Sequence, residues 1–326
     1  MKRILPLLLG VIILTSCTQE KRKVVAFASD NPAERVVWEK MRLADPNTGE
    51  IPADIRKKEM IFAKTLPQSN SLNKANWVHR GPYNVGGRTR ALALDVLDEN
   101  TMFAGGASGG MFRSKNGGQS WEMTTDPNQL HNVTCVAQDT RVGKEKIWYF
   151  GSGELTGSSA SGGESYYGGN GIYKSVDGGL SWDSLAVTAT NTNGFDSNFD
   201  FIWNIKTDPS NDSLDVVYAA TYGTIYRSEN GGDSWVKELG GGSTYYNNVE
   251  VASNGVVYAT LSSDGLDKGI WRSEDGQNWT NITDSLFPPI YGRIAIGVNP
   301  SNENEVYFLA AETDNHGQHT DVFFNG

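Results

Sequence analysis

The residues of this chain best suited to chemistry are two acidic–aromatic groups and a scattered set of arginines. Glu154 and Glu164, with Tyr166 and Tyr167, sit in a Gly/Ser-rich stretch over residues 151–170. Asp200 stands close to Asp196 and Trp203. Two carboxyl groups held about 5–10 Å apart can serve as acid and base in breaking a glycosidic bond. Paired tyrosines offer flat, amphipathic surfaces to a sugar ring or a peptide. Long insertions between strands often carry function, and a plain solvated loop is the alternative. We take Glu154, Glu164, Tyr166, Tyr167, Asp200 and Trp203 as candidate ligand contacts and name no catalytic residue. A third group, Glu312, Asp314, His316 and His319, mixes carboxylates with imidazoles at no metal-specific spacing. It reads as polar surface, so no metal and no cofactor is expected.

A guanidinium can grip a carboxylate through two parallel hydrogen bonds. Arg113, Arg227 and Arg272, with Lys174 in the same slot, recur at one repeat position and read as scaffold. Over residues 77–326 that leaves Arg80, Arg88, Arg90, Arg141 and Arg293. Cys135 shares a strand face with Val133 and Ala137 and reads as a small buried apolar residue, not a nucleophile.

The elements that must position these groups are announced by a turn motif that occurs four times. Ser114, Asn116 and Trp121 belong to the first copy; Ser175, Asp177 and Trp182 to the second; Ser228, Asn230 and Trp235 to the third. The fourth, with Ser273, Asp275 and Trp279, is one residue shorter. Each follows an alternating apolar run and carries Asn-Gly or Asp-Gly, the dipeptide of tight hairpins. The Ser and Asx side chains can take up backbone N–H groups inside the turn, and the Trp opens the return strand and buries its ring. Two further strand-like runs lie upstream of each copy: 90–96 and 101–104, 133–137 and 147–150, 201–205 and 216–219, 248–251 and 256–259. Four short antiparallel strands per repeat make one propeller blade, and repetition at this period points to a radial array. A fifth repeat opens at 293–296 and 306–309, and the chain reads as part of a longer ring.

The motif resembles the Asp-box, or BNR repeat, found in sialidases, sortilin-type receptors, xyloglucan-type endoglucanases and many non-enzymatic propellers. In those families the box lies at the blade periphery, so the resemblance implies a structural role for its residues. The Gly-Pro and Gly-Gly-Arg stretch over 77–90, behind a helical segment, is similar to secreted BNR proteins of the Bacteroidetes type. A sialidase would need an arginine cluster and an Arg-Ile-Pro stretch, and the latter is not found. A xyloglucan-type endoglucanase would carry its first catalytic Asp where Ala107 stands.

Lys2, Arg3 and the apolar residues 5–14 form an export signal too short to span a membrane. Residues 14–17 resemble a bacterial lipobox, which implies a lipid on Cys17. The expected layout is a signal peptide over 1–16, a tether over 17–30, a helical segment over 31–76 and the propeller over 77–326. Helices are expected from 33 to about 43 and over 52–65, ended by Asp45-Pro46 and Leu66-Pro67. Net charge is −10, from 38 acidic and 28 basic residues, and no basic run exceeds the three residues found at 21–23 in the tether and at 56–58. That excludes nucleic acid as a natural partner. The expectation is an all-β propeller lipoprotein at the cell envelope, membrane-bound through its lipid alone, binding a glycan or protein without turnover. The alternatives are a glycoside hydrolase whose acids lie partly outside these residues, and a secretion or assembly factor that binds a client protein.

Overall fold

A computed structural model of the chain describes residues 32–52, 55–66, 87–158, 164–192, 195–313 and 319–322. The signal segment, the tether with Cys17, and residues 67–86 with Arg80 lie outside the described residues, as do Asp314 and His316.

The chain divides into two compact units, residues 1–68 and 69–326. In the first, helix α1 spans Pro32–Leu43 and helix α2 spans Ile55–Thr65. Pro32 suits the first helical position because its missing N–H has no partner there in any case. Between the helices, Asp45 Oδ1 accepts from the Asn47 amide at 2.7 Å, closing the turn that its composition predicts. No helix among the described residues is long and apolar enough to cross a membrane.

The second unit is built of antiparallel sheets. The first holds β1 (Thr89–Leu94), β2 (Met102–Gly106), β3 (Gly110–Ser114) and β4 (Glu122–Met123) in sequence order. The second holds β5 (Cys135–Gln138) and β6 (Trp148–Gly151); then, after a separate hairpin of β7 (Glu154–Ser158) and β8 (Glu164–Tyr167), β9 (Ile172–Ser175) and β10 (Asp183–Ser184). The third holds β11 (Ile202–Thr207), β12 (Val217–Thr221), β13 (Thr224–Ser228) and β14 (Val236–Gly240). The fourth holds β15 (Asn247–Val251), β16 (Val257–Leu261), β17 (Gly269–Ser273) and β18 (Trp279–Asn281). A fifth sheet has β19 (Ile294–Val298), β20 (Val306–Thr313) and β21 (His319–Val322).

First strands pack on first strands: β1 on β5, β5 on β11, β11 on β15 and β15 on β19. The sheets therefore fan around an axis lined by their first strands, as blades do. Apolar faces of neighbouring blades bury one another. Phe103 and Met111 of the first meet Trp148, Phe150 and Trp182 of the second, all nearly or fully buried. Ile172 of the second meets Ile202, Ile205 and Val217 of the third. Each such side chain contributes about 1.5–3 kcal/mol through burial.

Strand direction fixes two ends. First strands begin where the second-to-third-strand turns lie; the turn motifs, joining third to fourth strands, lie at the opposite end. In the first motif Ser114 Oγ accepts from the Gly118 amide at 2.9 Å, and Asn116 Oδ1 from the Ser120 amide at 2.9 Å. Ser175, Ser228 and Ser273 repeat the first contact at 2.8 Å. Gly178 and Gly179, at φ +79° and +73°, allow the turn to close in the left-handed region, and a Cβ on Gly179 would strike the Phe103 ring. The Trp residues differ from one another. Trp182 is buried and its Nε1 donates to Thr124 Oγ1 of the preceding blade at 2.9 Å. Trp121 is 37% exposed and its Nε1 folds back onto the Gly118 carbonyl at 3.0 Å.

Residues 151–170, which read as a Gly/Ser-rich loop, contain the β7–β8 hairpin instead. Leu155, Thr156, Tyr166 and Tyr167 supply the apolar, β-branched and aromatic character a strand pair needs at either side of the Gly/Ser residues.

Candidate functional site

The end of the second unit where first strands begin collects the chemistry. Its centre is Glu154, fully buried at the start of β7. The neck of the insertion holds it there. Asn132 Nδ2 donates to the Gly168 carbonyl at 2.7 Å, and Asn132 Oδ1 accepts from the Gly153 amide at 3.2 Å. Ser152 Oγ donates to the Gly171 carbonyl at 2.6 Å and accepts from the Asn170 amide at 2.8 Å. A Cβ on Gly153, at φ +87°, would run into the Asp200 carbonyl, so glycine lets the neck lie against the next blade.

Arg88 and Arg90 both reach Glu154. The Arg88 guanidinium pairs with Oε2, and Arg90 Nε lies 3.2 Å from Oε1. That second approach is an ion pair without hydrogen-bond geometry, for both atoms are buried and, among the described residues, lack a hydrogen-bond partner. Arg90 owes its direction to a bulge. Thr89 pairs with Gly106 and Ala91 with Gly105, leaving Arg90 as the extra residue. The same device recurs in β11, where Ile202 pairs with Thr221, Asn204 with Ala220, and Trp203 is left over.

The two bulged side chains meet. The Arg90 guanidinium carbon lies 5.8 Å from the Trp203 ring centroid, and that of Arg293, just before β19, lies at the same distance. The Tyr246 ring lies 5.0 Å from the indole. Guanidinium groups over an indole are attracted by its ring quadrupole. Burial, then the neighbouring charge of Arg90, hold the Arg293 pKa below its usual range. Among the described residues Arg293 has no ion-pair partner within 4.0 Å, and its buried Nε has no hydrogen-bond partner. Of the three guanidiniums, Arg88 and Arg90 reach the one buried carboxylate and Arg293 does not.

Asp200 is buried too, and its carboxylate is spoken for. Oδ2 accepts the amides of Asp196 and Ser197, both at 2.9 Å, in a capping box around a short 3-10 turn at Asn198–Asp200. Burial pushes its pKa up against the pull of those amides. Tyr167 pairs across the hairpin with Glu154 and is 41% exposed. Glu164 and Tyr166 lie on β8, with side chains outside the described set. Ala107, buried in the turn between β2 and β3, donates its amide to the Arg88 carbonyl at 2.9 Å. Cys135, where burial pushes the thiol up to about 11, is a core residue. Among the described residues no three of His, Cys, Asp and Glu come together as metal ligands would.

Sequence reasoning singled out Glu154, Asp200 and Trp203 and missed the roles of Arg88, Arg90 and Arg293. The available signal was position: Arg90 and Arg293 each stand immediately before the first buried residue of a first strand, Ala91 and Ile294.

No protein-family model matches the chain, and no curated protein matches it. Among solved structures, an ancestral GH74 enzyme superposes with a TM-score of 0.50 at 21% identity, over 73% of this chain and 32% of that one. The fold is a β-propeller. YCF48 bound to D1 peptide gives a TM-score of 0.45 at 14% identity, over 73% and 69% of the two chains. An auxiliary nutrient binding protein from Bacteroides thetaiotaomicron gives 0.44 at 11%, over 73% and 57%. At these identities the likeness is one of fold. The matched part of this propeller spans about a third of the GH74 enzyme's length.

Proposed function

We propose that this propeller is a non-catalytic binding module of the bacterial cell envelope, holding a glycan or protein ligand at the end where its first strands begin. In this reading the four turns are Asp-boxes that build the scaffold, and Cys17 carries the lipid that tethers the chain. One observation carries the proposal: the two buried carboxylates at that end among the described residues are already engaged. Glu154 is locked between Arg88 and Arg90, and Asp200 caps its own turn. A glycosidase needs two carboxyl groups facing its substrate, one of them free to give up a proton. Ala107, in a turn at the same end, supplies no further acid.

The test pairs a glycan array with a hydrolysis assay on plant and host polysaccharides. Retention of a glycan with no release of reducing ends is expected. Release of new reducing ends from any substrate would overturn the reading. Metabolic labelling with a fatty acid tests the tether: wild type takes up label and Cys17→Ser does not.

A further inference from the structure

The binding reading leaves the chemistry of the ligand open, and this inference rests on it. Three cationic side chains gather at this end of the axis: Arg90 and Arg293 lie over the Trp203 ring, and only Arg88 and Arg90 reach the Glu154 carboxylate. Arg88 and Arg90 share Glu154, and Arg293 has no acid of its own among the described residues. Burial, then the charge of Arg90, weigh against the charged form of Arg293. A guanidinium kept partly buried beside a second one is costly unless an anion completes the site. The Nε atoms of Arg90 and Arg293 are buried and, among the described residues, unpartnered, so only the guanidinium tips are left to meet a ligand.

Next to this centre runs an exposed aromatic arc. The Phe195 ring lies 5.1 Å from Tyr222, and Tyr222 lies 5.7 Å from Tyr245, both contacts edge to face. Phe195 and Tyr245 are about half exposed, at 50% and 47%. Phe195 precedes β11, Tyr222 sits in the turn from β12 to β13, and Tyr245 precedes β15, so all three belong to the end that carries the arginines. The arc reaches the centre through consecutive residues: Tyr245 packs on Tyr222 while Tyr246 packs on Trp203.

Negative charge is built into the margin of the arc. Asp196 and Asp200 follow Phe195, and Asp264 accepts from the Tyr245 amide at 3.0 Å. A polyanion would meet these acids and a chain of net charge −10. A ligand with one carboxylate among neutral, flat-faced units meets the arginines and rings without that repulsion. We propose that this end binds an acidic oligosaccharide, a single uronic acid carboxylate lying among Arg88, Arg90 and Arg293 and the neighbouring neutral sugars lying on the aromatic arc. Glu154 then acts as the internal counter-ion that the ligand carboxylate competes with.

The experiment is calorimetric titration of the full chain with a xylo-oligosaccharide bearing one glucuronic acid, beside its carboxyl-reduced, neutral counterpart. We expect the acidic form to bind at least about tenfold more tightly, with the advantage shrinking as salt rises. Arg293→Gln should remove that advantage, and Tyr245→Ala should weaken both forms alike. Glu154→Gln should tighten the acidic form by about threefold or more, a gain that damage to the fold would not produce. Should Arg293→Gln misfold, the Glu154→Gln result decides alone. Equal binding of both forms overturns the inference and leaves the binding module standing. Binding of neither form overturns the inference as well. Equally tight binding of a poly-glutamate peptide overturns the assignment to sugar. Shortened oligosaccharide products would instead overturn the non-catalytic reading beneath it.

Discussion

Glu154 Oε1 and Arg90 Nε lie 3.2 Å apart, fully buried on the carboxylate side, at the end of the propeller axis where the first strands begin. The two residues come from the first and second blades, so the contact fastens one blade to the next while setting the charge of the site.

Removing the carboxylate should therefore cost stability. Breaking a fully buried pair costs about 3–5 kcal/mol, and less here because Arg88 is partly in water. Glu154→Ala is expected to lower stability by about 1–3 kcal/mol. Urea unfolding followed by tryptophan fluorescence measures it, and an unchanged midpoint would show the pair to be idle.

Equivalent tryptophans should differ in importance. Trp182 packs 4.8 Å from Phe150 and 6.3 Å from Phe103 and is buried, whereas Trp121 folds back on its own turn. Trp182→Ala is expected to cost about 3–5 kcal/mol and Trp121→Ala about 1 kcal/mol or less. Thermal unfolding of the two variants side by side checks the order; equal losses would refute it.

The second turn should weaken in acid while the first does not. Burial alone would raise the Asp177 pKa, but hydrogen bonds from Ser181 and Ser175 hold it down at about 2. A folded pKa below the unfolded value of about 3.9 gives stability that is present above that pH and lost as pH falls toward the folded value. Asn116 in the first turn accepts the matching amide through Oδ1 without titrating, and its Nδ2 donates to Ser120 Oγ at 2.9 Å where Asp177 instead accepts from the Ser181 hydroxyl. Asp177→Asn should thus lose less stability than wild type between about pH 5 and pH 2. Urea midpoints at both pH values give the comparison, and parallel losses would contradict it.

Cys135 should be chemically silent in the native protein. Its thiol is buried and pushed up to about 11 by that burial. In a Cys17→Ser background, a thiol-colour reagent at about pH 8 is expected to find no reactive group until denaturant is added. Stoichiometric reaction of the folded protein would place Cys135 at the surface.

The architecture was legible because the turn motif repeats and each copy encodes its own hairpin. Ser114 and Asn116 act on atoms within four residues of themselves, so local sequence suffices. The site was only partly legible. Glu154 and Trp203 stood out by type, but Arg90 becomes a partner of both only through the bulge at Thr89 and Ala91 and through blades that meet at the axis. Asp200 looked available as a ligand contact, because nothing in its residue type shows that two amides a few positions upstream already hold it. The hairpin inside residues 151–170 was hidden by the weight of Gly and Ser in its composition.

The most direct test of a ligand site at the arginine end is a ¹H–¹⁵N spectrum of the tryptophan indoles, nine in the chain, during titration with the acidic oligosaccharide. The Trp203 indole N–H has no hydrogen-bond partner among the described residues, and its ring sits beside Arg90, Arg293 and Tyr246. Its resonance should move in proportion to occupancy, while those of Trp121 and Trp235, in turns at the opposite end, stay fixed. Movement confined to Trp121 or Trp235, with Trp203 unchanged, would put the ligand at the wrong end and contradict the account.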